Sequence, residues 1–353
     1  MHNDLPGRLT VPLKAISRRV LNRQVATALA IGLPAALPAA GKKKGKGKNK
    51  QKKKCRKMGG TLFKGACCKG SPRACVARCA FPTVQGAIMG AKAGATITVC
   101  PGTYREDLAI AADVRLVGAG ADSTILQGSG TLSVVRNFSQ RVTLEHLRIT
   151  GGAAAYGAGI DNSGDMTLNT CTVTGNHALI GGGGIRNAVN TQSPNGGKLR
   201  LTNCTVNGNR VGTEEDGGGG GGGISNVLGA VTLTNTVISD NVTGPGVSGP
   251  PDDPVVIEFP SVGGGIKNDG GSVTLIGSQV RGNRGDYGGG IRNDGGVVTL
   301  DAASRVTGNT ANDDEGGGGI DNSDGTVTLA TSANVTGNTP SNCAGDAVPL
   351  CAG

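Results

Sequence analysis

Short segments in which apolar and polar residues alternate recur along most of the chain. From residue 137 onward they form one repeated pattern: Gly-Gly-Gly-Ile-x-Asn, a polar turn, Val-Thr-Leu, five or six residues, then Val-Thr-Gly-Asn. The Asn of the first element recurs as Asn162, Asn187, Asn226, Asn268, Asn293 and Asn322, with Asn137 as a degenerate start. The Leu of the second recurs as Leu144, Leu168, Leu201, Leu233, Leu275, Leu300 and Leu329, and the closing Asn as Asn176, Asn209, Asn241, Asn283, Asn309 and Asn338. The shortest spacing is 24 to 25 residues, and longer spacings contain insertions. In each Val-Thr-Leu two apolar residues flank an outward threonine, the period-two pattern of a strand. A period near 25 with several such segments predicts an all-β solenoid with about three short strands per coil. The glycine content and the lack of a 3.6-residue periodicity exclude helical repeats.

Stacked parallel coils place equivalent residues in ladders about 4.8 Å apart. One inward ladder is expected to contain Leu147, Cys171, Cys204, Thr236, Ser278, Ser304 and Ala333. It makes Cys171 and Cys204 neighbouring buried thiols at a separation that permits a disulfide. The repeated Asn residues are expected at corners, where Asn tolerates left-handed backbone and stacked amides bond one another. The glycines before each Ile fit a corner that has no room for a side chain.

Upstream, residues 81–92 can form a short capping helix. Ala95-Thr-Ile-Thr-Val-Cys-Pro-Gly-Thr-Tyr104, Val114-Arg-Leu-Val-Gly-Ala-Gly120 and Ser123-Thr-Ile-Leu-Gln-Gly128 follow. This run resembles the opening coils of pectin-lyase-like right-handed parallel β-helix proteins. The Gly-Gly-Gly-Ile-x-Asn and Thr-Gly-Asn repeats are similar to those of polymorphic outer-membrane protein and related bacterial surface β-helices. The resemblance spans residues 81–342 and implies a right-handed parallel β-helix; the scaffold hosts many functions.

Composition supports this reading. Glycine accounts for 64 of 353 residues, tryptophan is absent and aromatics number seven, too few for the core of a large conventional α/β enzyme. Charge is divided along the chain. Residues 1–60 carry sixteen Lys and Arg against Asp4 alone, whereas the remainder carries 19 basic and 24 acidic side chains. A mildly acidic body excludes nucleic acid as its partner.

The basic start has the parts of an export signal: Arg18-Arg19 within Ser17-Arg-Arg-Val-Leu21, a 16-residue apolar stretch at 25–40, then small residues. Domain boundaries are read as a twin-arginine-like signal at 1–40, a Lys-rich linker at 41–54, a Cys-rich module at 55–80, the β-helix at 81–342 and a closed tail at 343–353. Nine lysines in residues 42–54 are a solvated linker, or an attachment to an anionic wall or membrane surface. A secreted or cell-surface bacterial protein is expected. Cys55, Cys67, Cys68, Cys75, Cys79 and Cys100 are read as disulfide partners of open connectivity, and Cys343 with Cys351 as a second staple.

Insertions before the Gly-rich corners carry Glu214, Glu215, Asp216, Asp252, Asp253, Asp286, Asp313, Asp314 and Glu315. They are either a solvated acidic edge or Ca²⁺ ligands; no other cofactor is expected. A row preceding the repeat Asn, namely Arg136, Asp161, Arg186, Ser225, Lys267, Arg292 and Asp321, should point outward. The family resemblance implies that Lys267 or Arg292, beside Asp269, Asp294 and Asp321, could serve as the base of a Ca²⁺-dependent lyase. No family catalytic motif matches there, nor do polygalacturonase or pectin-esterase motifs appear. The reading is a non-catalytic structural, adhesive or glycan-binding protein with a polysaccharide or cell-surface glycan as partner. The alternative is a lyase or hydrolase of acidic glycans.

Overall fold

The computed structural model describes short strands at Thr61–Phe63, Ala66–Cys68 and Ala74–Val76, and residues 81–352 with breaks at 139–140, 190–196, 213–218, 245, 249–256 and 260. The export signal and Lys-rich linker lie outside the described residues, as do Cys55 and Cys79. The chain is a right-handed parallel β-helix. Three long ladders form its walls, and a fourth, shorter one fills a corner. Sheet 1 contains the Val-Thr-Leu segments, from Ala95–Val99 and Val114–Val117 through Lys198–Thr202 to Thr326–Leu329. Sheet 2 runs from Gly102–Arg105 to Val335–Thr336, and sheet 3 contains the Ile-x-Asn segments, from Leu108–Ile110 to Ser341–Gly345. The expected three strands per coil become four in six coils, where sheet 4 adds strands such as Ala153–Tyr156, His177–Gly181 and Arg284–Gly285 between sheets 2 and 3.

Alternation fixes what is inside. Val142 and Leu144 are buried on either side of Thr143, and Leu199 and Leu201 on either side of Arg200. One continuous core of Val, Leu and Ile runs along the axis. Slipping a strand by one residue would expose its whole apolar set, so register is strongly specified.

Polar ladders within this core specify register further. Asn137, Asn162, Asn187, Asn226, Asn268, Asn293 and Asn322 are buried, and each amide donates to the next at 2.7–2.8 Å. A second ladder runs from Asn176 through Asn209, Asn241, Asn283 and Asn309 to Asn338 at 2.9–3.0 Å. The left-handed positions expected for the first set lie elsewhere. Its members lie within ordinary strands, while His146, Thr170, Asn203 and Asn235 take positive φ at the turn between sheets 1 and 2. Asn is therefore selected in sheet 3 for its paired donor and acceptor, which satisfy one another where water is absent.

The turn ladder is a third polar row. The N–H of Cys204 donates to Thr236 Oγ1 at 3.3 Å, that of Thr236 to Ser278 Oγ at 3.1 Å and that of Ser278 to Ser304 Oγ at 3.1 Å. Ala333, placed in this row from sequence, is exposed. Asn334 replaces it, donating to Asp301 O and Ser304 O, because a 3-10 turn at Ser332–Asn334 shifts the chain by one residue.

The glycines are required by close approach. Gly182, Gly221, Gly263 and Gly288 have φ of 62–73°. The glycine directly before each Ile is held differently: a Cβ on Gly290 would lie 2.6 Å from Gly319 O and 2.9 Å from Asn309 Nδ2.

Both ends are closed. Helix α1 (Val84–Met89) covers the first coil with Val84, Ala87 and Ile88. Glu106 accepts from Val84 N and Gln85 N at its start, both at 2.9 Å. The Gln85 amide pairs with both backbone groups of Ala109 in sheet 3, like an added strand. Ala74–Val76 pairs antiparallel with Ala95–Val99 on the sheet 1 edge. At the far end Ser341–Gly345 closes sheet 3, tied back by the Cys343–Cys351 disulfide.

Candidate functional site

The charged row of sheet 3 is in register from Arg136 through Asp161, Arg186, Ser225, Lys267 and Arg292 to Asp321. It does not stand free in solvent as expected. Ser225 and Asp321 are buried, and the others are half-buried. The Gly-rich segments lie across it, joined coil to coil by bridges from Gly181 to Gly220, Val262 and Tyr287. A Cβ on Gly220 would meet Lys267 Cδ at 2.3 Å, and one on Gly157 would meet Arg186 Cβ at 3.0 Å. Glycine admits the long side chains beneath the backbone.

Burial makes this row pair internally. Arg186 Nη1 donates to Asp161 Oδ1 at 3.2 Å, and its guanidinium lies 5.1 Å from the Tyr156 ring centre, a cation–π contact. Burial pushes the Asp161 carboxyl up, and Arg186 and Arg136 pull it back. Arg292 donates through Nε to Asp294 Oδ1 at 2.6 Å and through Nη1 to Asp321, whose other oxygen accepts from Gly317 N. A guanidinium held between two carboxylates cannot act as a base. Lys267 has no ion pair among the described residues, and Asp269 and Asp294 are neighbours in the adjoining row.

On the acidic edge the described carboxylates bond to the protein. Asp286 accepts from Ser261 N at 2.8 Å and Asn312 Nδ2 at 2.9 Å. Asp313 accepts from Tyr287 Oη at 2.7 Å and Glu315 N at 2.9 Å. That contact raises the Tyr287 phenol to about 12 and lowers Asp313. Among the described residues, Asp286, Asp313, Asp314 and Glu315 included, no three His, Cys, Asp or Glu side chains form a group that could hold a metal. Glu214, Glu215, Asp216, Asp252 and Asp253 lie outside the described residues. Of the cysteines, Cys100 is disulfide-bonded, Cys343–Cys351 is formed, and Cys171 and Cys204 are free and buried. The side chains of Cys67, Cys68 and Cys75 lie outside the described residues.

A further ordered polar surface is the outer face of sheet 1. Its central row is Thr96, Arg115, Thr143, Thr167, Arg200, Thr232, Thr274, Thr299 and Thr328, all in register. Arg115 grips Glu145 with two bonds, at 3.0 and 2.7 Å. Arg200 Nη1 meets Asp165 at 2.6 Å, and Arg141 meets Asp113 at 3.1 Å. Arg141, Val142, Thr143, Asp165, Thr167 and Arg200 line a shallow depression of about 190 Å³. Hydroxyl and guanidinium groups thus follow one another along the row at about 4.8 Å, with Glu145 and Asp165 in the rows beside it. Such a row can exchange hydrogen bonds with a hydroxyl-rich polymer lying along the axis. The outward threonines of this face are those expected from each Val-Thr-Leu; the ion pairs were not foreseen, although Arg stands in the threonine slot of Val114-Arg-Leu116 and Leu199-Arg-Leu201.

No family model matches the chain, and no curated protein shows significant similarity to it.

Proposed function

We propose that the protein is an exported bacterial surface or extracellular β-helix, related in design to the pectin-lyase-like and polymorphic outer-membrane types, that binds glycan without catalysis in a structural or adhesive role. The threonine–arginine row of sheet 1, with the carboxylates paired to its arginines from the rows beside it, supports this reading. Its pairs are partly exposed, Arg200 by 50% and Asp165 by 31%, so they can exchange water for sugar hydroxyls at little reorganisation cost. The N-terminal lysine tract would add attachment to an anionic wall or membrane surface.

The test is retention of the full chain on a panel of immobilised neutral and acidic polysaccharides, with turnover assayed on the same polymers. Retention without product is expected, weakened about tenfold by Arg200→Ala if one charged hydrogen bond is lost. Absence of retention across the panel would defeat the proposal. A polysaccharide lyase or hydrolase is the second reading, favoured by Lys267, which has no ion pair among the described residues and lies in the row next to Asp269 and Asp294. It requires Ca²⁺-dependent product that disappears in Lys267→Ala.

A further inference from the structure

Cys171 and Cys204 occupy one row on successive coils, directly after Thr170 and Asn203, and the following residues Thr172 and Thr205 are paired in register. Further along this row the residues are Thr236, Ser278 and Ser304, whose oxygens accept a backbone N–H from the preceding coil. Sulfur is a weak acceptor for that task, although the N–H of Cys171 does donate to Cys204 Sγ, at 3.4 Å. Ladder hydrogen bonding therefore does not account for two thiols in adjacent slots. Their mutual placement does.

In-register parallel strands hold equivalent Cα atoms about 4.8 Å apart, within the roughly 4.4–6.8 Å span of disulfides. Both thiols are buried, but the exposed, left-handed turn residues Thr170 and Asn203 lie directly above them, so one layer of backbone separates them from solvent. Three other cysteines, Cys100, Cys343 and Cys351, are already disulfide-bonded.

We infer that Cys171 and Cys204 are an oxidation site that closes a coil-to-coil disulfide with a small disulfide oxidant. The N–H of Cys171 donates to Cys204 Sγ, so the two residues already meet. One of the thiols, deprotonated, attacks the oxidant's S–S bond and expels one small thiol. The other, after losing its proton, attacks the protein sulfur of that mixed disulfide and expels the second. Two protein S–H bonds are lost, one S–S bond forms, and the oxidant is reduced to two thiols.

The test uses the full chain, reduced and then either incubated natively or refolded with oxidised glutathione. Alkylation in denaturant and trypsin cleavage follow, which places the two cysteines on separate peptides, residues 149–186 and 201–210. A linked pair of these peptides, two hydrogens lighter than their sum, is the expected product, with a higher unfolding temperature than the reduced protein. Cys171→Ser suits a row that elsewhere holds serine and should fold normally, with Cys204 recovered in no linked pair but as its mixed disulfide with glutathione. Recovery of both peptides alkylated after native incubation and after refolding would overturn the inference. So would linkage of either cysteine chiefly to the N-terminal module.

Discussion

Asn187 and Asn226 are 39 positions apart, yet the amide of one donates to the other at 2.8 Å, the distance between Asn268 and Asn293, which are 25 apart. The longer connection leaves the ladder unchanged. The repeated amide specifies which residues stack.

This ladder is costly to interrupt. Asn226→Ala removes the acceptor for Asn187 and the donor to Asn268, Gly229 O and Ser272 O. Each buried group left without a partner costs about 1–3 kcal/mol, so a loss of several kcal/mol is expected by urea unfolding. The half-exposed Asn169 changed in the same way should show a much smaller loss.

Glycine directly before Ile is required by space. Gly290→Ala brings a Cβ to 2.6 Å from Gly319 O, and the predicted destabilisation is about 1–3 kcal/mol. Gly295→Ala meets no atom within 4 Å but sits at φ 62°, so its smaller cost comes from backbone strain alone. Thermal melts of the two variants separate these causes.

Arg292→Ala leaves the buried Asp321 without its cation. Breaking a buried pair in this way costs about 3–5 kcal/mol, and the prediction is a lowered unfolding midpoint for this variant. Lost turnover in Arg292→Ala would therefore not identify a base, whereas Lys267→Ala removes no ion pair among the described residues. Circular dichroism melts alongside the turnover assay distinguish the two.

Tyr287 titrates at about 12 because its hydroxyl donates to Asp313 and burial and nearby carboxylates oppose the phenolate. An unfolded tyrosine titrates near pH 10. The contact's stabilisation is therefore complete below about pH 10 and is lost as pH rises towards about 12. Ultraviolet titration of wild type against Tyr287→Phe should show one phenol ionising near the upper value in the wild type alone.

The solenoid, its period and its inward Val, Leu and Ile were legible because strand alternation and repeat length depend on local chemistry. The asparagine ladder was legible as a recurrence, but its backbone was misread, since Asn fits both a left-handed turn and an amide stack. The burial of Arg186 and Lys267 was hidden because glycine leaves no sequence mark of which backbone it allows to approach. The outward threonines of sheet 1 were legible, but its ion pairs were not: Arg115, Arg200, Glu145 and Asp165 are ordinary surface residues until register brings them together.

The two closed ends have a consequence for size. Between α1 and the Cys343–Cys351 closure, each coil joined by the two asparagine ladders offers its successor the same amide donor and acceptor that it received. Removing residues 269–293 would set Asn268 before what followed Asn293, with an intact polar interior and both lids in place. Length here is a count that can rise or fall by whole turns, about 4.8 Å at a time, so the protein can serve as a ruler whose span changes without redesign of its ends.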